Sequence, residues 1–108
     1  MLIEIECESQ LMDIIKSSGN TLVVVDFYAT WCGPCRVIGP FLEKLEQEFP
    51  HVKFVKVDVD EYGEFAEQEG IEVMPTLYFY KKGKKVDEMA GANRDKLREL
   101  VTKYAAGK

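Results

Sequence analysis

Apolar and polar positions alternate from Leu2 to Cys7, with Ile3, Ile5 and Cys7 in phase, the period of a half-buried strand. Ser9 to Ser18 switches to a helical period, Leu11, Ile14 and Ile15 sharing a face, and Gly19-Asn20 stops it. Thr21 to Tyr28 is β-branched and apolar on both faces, as expected of a central strand covered by helices. Ile38, Phe41, Leu42, Leu45 and Phe49 then recur at helical spacing over Val37 to Phe49; Pro40 should kink that helix and Pro50 ends it. Val52 to Val59 reads as a third strand, and Asp60 as the cap of a short helix through Phe65 and Ala66 that Gly70 terminates. Thr76 to Tyr80 and Lys85 to Ala90 read as a hairpin turning at Gly83. Asn93 caps a last helix with Leu97, Leu100, Val101 and Tyr104 along one stripe. The order βαβαβαββα has two crossover units feeding parallel strands and an antiparallel hairpin at one edge. It predicts an α/β fold with a central five-stranded mixed sheet flanked by four helices.

Composition narrows the function classes. The 108 residues make one domain, 1–108, and 46% hydrophobic residues suffice for a core. A net charge of −5 with scattered basic residues argues against nucleic-acid binding, and the lysines around Gly83 read as a solvated turn. No stretch approaches the ~20 apolar residues of a membrane helix. The first ten residues lack a basic region and carry Glu4, Glu6 and Glu8, so no secretory signal is expected. Three cysteines are too few, and of the wrong parity, for a disulfide framework; a reducing compartment, the cytosol, fits best. A monomer is the default expectation.

The chemistry sits where the central strand meets the long helix. Cys32 and Cys35 follow the apolar run and open the helical stretch. The unpaired N–H groups and the dipole of a helix start favour an anion, and the thiolate is the reactive form of cysteine. A contribution of roughly 0.3–2 kcal/mol would lower a thiol pKa of ~8.5 by about half to one and a half units. Cys32 at the helix mouth is the better-placed nucleophile, while Cys35, one turn inside, is expected to be buried and to act second. The alternative for a lone Cys-x-x-Cys is half a zinc site. Zinc needs two more ligands, and Cys7 and His51 offer no suggestive spacing. Cys7 itself, in phase with Ile3 and Ile5, is expected to be half-buried and inert, with a regulatory or dimer-forming thiol as the alternative. His51, after Pro50 at a helix end, reads as a surface residue.

Asp26 stands out because a carboxylate inside Val-Val-Val-Asp-Phe is costly to ionise, so its pKa should be raised unless a cation compensates. It is either a proton acceptor for Cys35 or a structurally satisfied acid, for instance one paired with Lys56, which alternates in phase with Phe54. Burial alone leaves both readings open. Trp31, directly before a reactive turn, is expected to be partly exposed rather than a core residue.

Trp31-Cys32-Gly33-Pro34-Cys35 matches the active-site motif of the thioredoxin family at every position. Asp26, Pro40, Met74-Pro75-Thr76 and Gly91-Ala92 also fall where that family has them, and the resemblance runs from residue 2 to about 104. It looks most like the cytosolic thioredoxins of animals. The resemblance implies the thioredoxin fold and a protein-disulfide reductant with no bound prosthetic group, re-reduced by an NADPH-dependent flavoenzyme, thioredoxin reductase. It further implies that Gly33 and Pro34 set the redox poise and that Asp26 is the proton acceptor, with Lys56, by its strand phase, the candidate to tune it. Pro75 is implied to be cis, facing the cysteines. Trp31, Gly33, Pro34, Val73, Met74, Gly91 and Ala92 would form a flat apolar contact surface for disulfide-containing proteins. Some animal thioredoxins carry extra cysteines just ahead of Met-Pro-Thr; Glu69 and Val73 stand there in this chain, so regulation through them does not carry over. Two rivals remain. A protein disulfide isomerase domain usually has Gly-His between the cysteines. A redox-dependent binding module that regulates partners without turnover would use the same surface.

Overall fold

The computed structural model describes residues 2–106. Five strands and four helices alternate in the expected order: β1 (Ile3–Glu4), α1 (Glu8–Ser17), β2 (Val23–Tyr28), α2 (Gly33–Glu48), β3 (Lys53–Asp58), α3 (Gly63–Gln68), β4 (Thr76–Lys81), β5 (Lys84–Ala90) and α4 (Arg94–Ala106). The sheet order is β1-β3-β2-β4-β5. β2 is central, parallel to β3 and antiparallel to β4, so the sheet is mixed.

The side-chain period of two sorts β2 between the layers. Val24 packs with Ile38, Leu42 and Leu45 of α2 and Leu97 and Val101 of α4. Val23, Val25 and Phe27 face the other way, against Leu11 and Ile15 of α1 and Phe65 of α3. Both faces are covered, which is why this strand carries an almost unbroken apolar run. Asp26 shares the phase of Val24 and is therefore a buried acid (2% exposed) on the α2 face.

Local chemistry explains the connections. Lys82 and Gly83 both take positive φ (54° and 76°) in a two-residue hairpin loop between Lys81 and Lys84, the geometry that matches strand twist. The Asn93 side chain accepts from the Lys96 N–H at 3.0 Å and so caps α4. α2 runs unbroken through Pro40 and starts earlier than its apolar stripe, because Cys32 caps it and Pro34 occupies its first turn, where a missing N–H costs nothing.

Three expectations are corrected. The first strand ends at Glu4: the Glu6 N–H turns away to the Gln10 side chain at 2.6 Å, and the chain enters α1. Cys7 consequently leaves the strand phase, becomes the N-cap position of α1 and is exposed rather than half-buried. Asp60 does not cap α3, whose N-cap position is Tyr62; its N–H instead donates to Asp58 Oδ1 at 2.9 Å in the preceding turn.

Candidate functional site

The site forms at the C-terminal end of β2, the sort of place where an open α/β sheet leaves a crevice. Cys32 is the N-cap residue of α2, and its Sγ accepts the Cys35 N–H at 3.1 Å. That N–H belongs to the group of donors a helix start leaves unpaired, so the sulfur position is one where negative charge is stabilised. Cys32 and Cys35 are paired as a disulfide with their Cα atoms 5.3 Å apart. The two are equally covered, 5% and 6% exposed, so exposure does not separate them as the sequence suggested. What distinguishes Cys32 is its capping position and its neighbour: its Sγ lies 3.5 Å from the Met74 carbonyl oxygen.

The loop before β4 supplies that carbonyl. The Met74–Pro75 bond is cis, as the family resemblance implied. Met74 packs against the cluster of Ala29, Cys32 and Cys35. Gly91, at a φ of 92° that suits glycine, donates its N–H to the Pro75 carbonyl at 2.8 Å and ties the β5–α4 connection to the same loop. Trp31 and Val73 are exposed (63% and 54%), and so are Gly33 and Pro34 on the first turn of α2. Ala92 is half-buried and packs on the α2–α4 core.

Asp26 lies below this surface. Its Oδ1 is buried without a protein hydrogen-bond partner. Burial pushes its carboxyl up to about 7, against a smaller downward pull from the Lys56 ammonium. Lys56 is its Cα partner on β3 and is half-buried, with its ammonium 4.6 Å from the centroid of the Tyr28 ring.

Sequence reasoning missed two partners here. The Trp31 indole N–H donates to Asp60 Oδ2 at 2.8 Å, fixing an otherwise exposed ring. Tyr28 packs on the cysteine cluster, and its hydroxyl donates to the Glu4 carboxylate. Its position two residues after Asp26, on the same face of β2, was the available signal. Among the described residues, no group of three or more His, Cys, Asp or Glu could hold a metal ion.

A family model, Thioredoxin, matches residues 4–103. The chain is 46% identical to rabbit (Oryctolagus cuniculus) thioredoxin over 101 residues, 94% of this chain and 96% of that one. The chain belongs to the thioredoxin family. Its fold superposes on Fasciola hepatica thioredoxin with a TM-score of 0.91 at 45% identity, over 95% of this chain and 99% of that one. A yeast structure addressing how a mitochondrial 1-Cys peroxiredoxin thiol is resolved via glutathione and thioredoxin systems matches with a TM-score of 0.87 at 36% identity, covering 94% of each chain. The protein is thus a protein-disulfide oxidoreductase that works by dithiol–disulfide exchange at Cys32 and Cys35. Thioredoxins need no bound cofactor; the cysteine pair is itself the redox group. The binding-module alternative is not favoured, since the chain matches catalytic relatives over nearly its full length.

Proposed function

We propose that residues 1–108 act as one thioredoxin domain that reduces disulfides in other proteins, with Cys32 attacking and Cys35 resolving. The observation that carries this order is the Cys35 N–H donated to Cys32 Sγ at the mouth of α2. A thiolate there attacks one sulfur of a substrate disulfide, forms a mixed disulfide and expels the other sulfur as a thiolate. Asp26 then accepts the Cys35 proton, and the Cys35 thiolate attacks Cys32 Sγ. The protein keeps a Cys32–Cys35 bond, and the substrate leaves with two thiols. Two electrons have moved from the dithiol to the substrate. A carboxyl poised near neutral pH can accept a proton in this step and lose it afterwards.

The substrate segment lies along Trp31, Gly33, Pro34, Val73, Met74, Pro75, Gly91 and Ala92. The exposed Trp31 and Val73 and the proximity of Met74 to Cys32 support this. Gly33 and Pro34 set the redox poise of the short ring, where ~30 mV corresponds to about 1.4 kcal/mol. The oxidised protein is re-reduced by thioredoxin reductase using NADPH, and it passes electrons to reductive enzymes in the cytosol. A peroxiredoxin is one class of recipient, given what the yeast structure addresses. Among the described residues no helix is long and apolar enough to cross a membrane.

Trapping tests the order of attack. Cys35→Ser should accumulate a covalent complex with a disulfide-containing protein such as insulin through Cys32, and Cys32→Ser should not. Equal trapping by both variants would remove the assignment.

A further inference from the structure

The cation beside Asp26 does not touch it. Lys56 and Asp26 are Cα partners in the parallel β2–β3 ladder, so both side chains leave the sheet on the same face. Even so, among the described residues no ion pair or hydrogen bond joins them. The ammonium lies instead over the Tyr28 ring, 4.6 Å from its centroid and inside the ~6 Å reach of a cation–π contact. Tyr28 is anchored in turn, since its hydroxyl donates to the Glu4 carboxylate. Glu4 is the Cα partner of Lys56 on the opposite side, in the β1–β3 ladder. Three adjacent strands therefore contribute to this arrangement: β3 the ammonium, β2 the ring that seats it, and β1 the carboxylate that anchors the ring. The same ring packs against the cysteine cluster.

We propose that Tyr28, held by Glu4, is a positioning residue that keeps the Lys56 ammonium off the Asp26 carboxylate and so preserves Asp26 as a proton acceptor. The proposal rests on the reading of Asp26 given above. An ammonium in contact with a carboxylate lowers its proton affinity by about ten- to thousandfold. A carboxylate held that way would be a poor base at neutral pH, because a general base works best with an affinity near ambient pH. Seated one side chain away, the ammonium only tempers the effect of burial.

The groups around Asp26 support this arrangement. β3 contributes Lys56 and Asp58, and Asp58 accepts the Asp60 N–H. β1 contributes Glu4, and β2 itself contributes Tyr28. The β4 neighbour, Leu77, is apolar, and the Cys32–Cys35 pair packs against Tyr28. Lys56 is thus the cation whose placement sets the field at Asp26.

Site-resolved NMR titration of the Asp26 side-chain carbon in the oxidised protein tests this directly. Tyr28→Leu should free the ammonium to pair with Asp26 and lower its proton affinity about tenfold or more. Tyr28→Phe keeps the ring and should change it by less than about threefold. The effect of Tyr28→Leu should vanish in a Lys56→Met background, which a general packing defect would not do. An affinity that is unchanged or raised in Tyr28→Leu, or that falls equally in both backgrounds, overturns the proposal. Should Tyr28→Leu fail to fold, Glu4→Gln at its exposed position should give a fall of the same sign that shrinks in the Lys56→Met background; no such shrinkage overturns it. If the titration moves as expected while Cys35-driven release of a mixed disulfide keeps its wild-type pH profile, the seat stands and the proton-acceptor reading of Asp26 is refuted.

Discussion

The stability of the Asp26→Asn variant relative to the wild type should rise with pH. In the folded chain burial pushes the carboxyl from its ordinary 3.8 to about 7. Between those values the folded protein holds a proton that the unfolded chain has released, so each rise of one pH unit removes about 1.4 kcal/mol of stability. The contribution of Asp26 is fully present below pH 3.8 and is lost as pH rises through 7. Summed over the gap, this amounts to roughly 4 kcal/mol, an appreciable fraction of the ~5–15 kcal/mol typical of a whole domain. Asn cannot ionise, so whatever its packing costs, that cost is constant with pH. Urea unfolding of the oxidised wild type and Asp26→Asn, in steps from pH 4 to pH 9, gives the difference directly, and groups common to both proteins cancel. The variant should gain roughly 4 kcal/mol on the wild type across the series, most of it between pH 4 and pH 7. A difference that stays flat would mean that the carboxylate is compensated in the folded state, and the burial argument would fail.

Two further substitutions probe separate parts of the structure. Asp60→Ala removes the acceptor of the Trp31 indole N–H; losing about 1 kcal/mol of ordering should lower kcat/KM for insulin reduction about fivefold, and an unchanged value would remove Trp31 orientation from substrate binding. Phe27→Ala empties a fully buried site whose ring meets Tyr78 edge-on at 5.0 Å and Phe65 at 6.0 Å, so urea unfolding should show a loss of about 3–5 kcal/mol; a loss below about 1 kcal/mol would contradict the packing described for the α1–α3 face.

Much of the fold was legible because local and global signals agree. The double-sided apolar run at Val23–Phe27 could only be a covered strand, and the Gly83 turn and Asn93 cap each have a local mechanism that the structure repeats. The Cys32–Cys35 pair was legible for the same reason, a strand delivering it to a helix start. Where the sequence misled, a group had found a partner that the pattern does not mark, in some places remote in the chain and in one only a turn away. Asp60 looks like a helix cap from its neighbours, but its carboxylate serves Trp31, 29 residues earlier. Cys7 continues an alternation that the Glu6–Gln10 contact has already broken. Pairing with Asp26 was one reading open for Lys56; its ammonium lies instead over an aromatic ring on β2 whose hydroxyl is bonded to a carboxylate on β1, and no period in the sequence links those three. Nor did the pattern indicate that Cys32 would be as covered as Cys35.

Disulfide exchange here depends most on Cys32 being the thiol that the start of α2 activates. Mass-spectrometric, site-resolved alkylation of the fully reduced protein by iodoacetamide across a pH series measures this. Cys32 should react first at neutral pH, with a midpoint about half to one and a half units below the ~8.5 of a free thiol. A midpoint at or above that of a free thiol, or Cys35 reacting before Cys32, would contradict it.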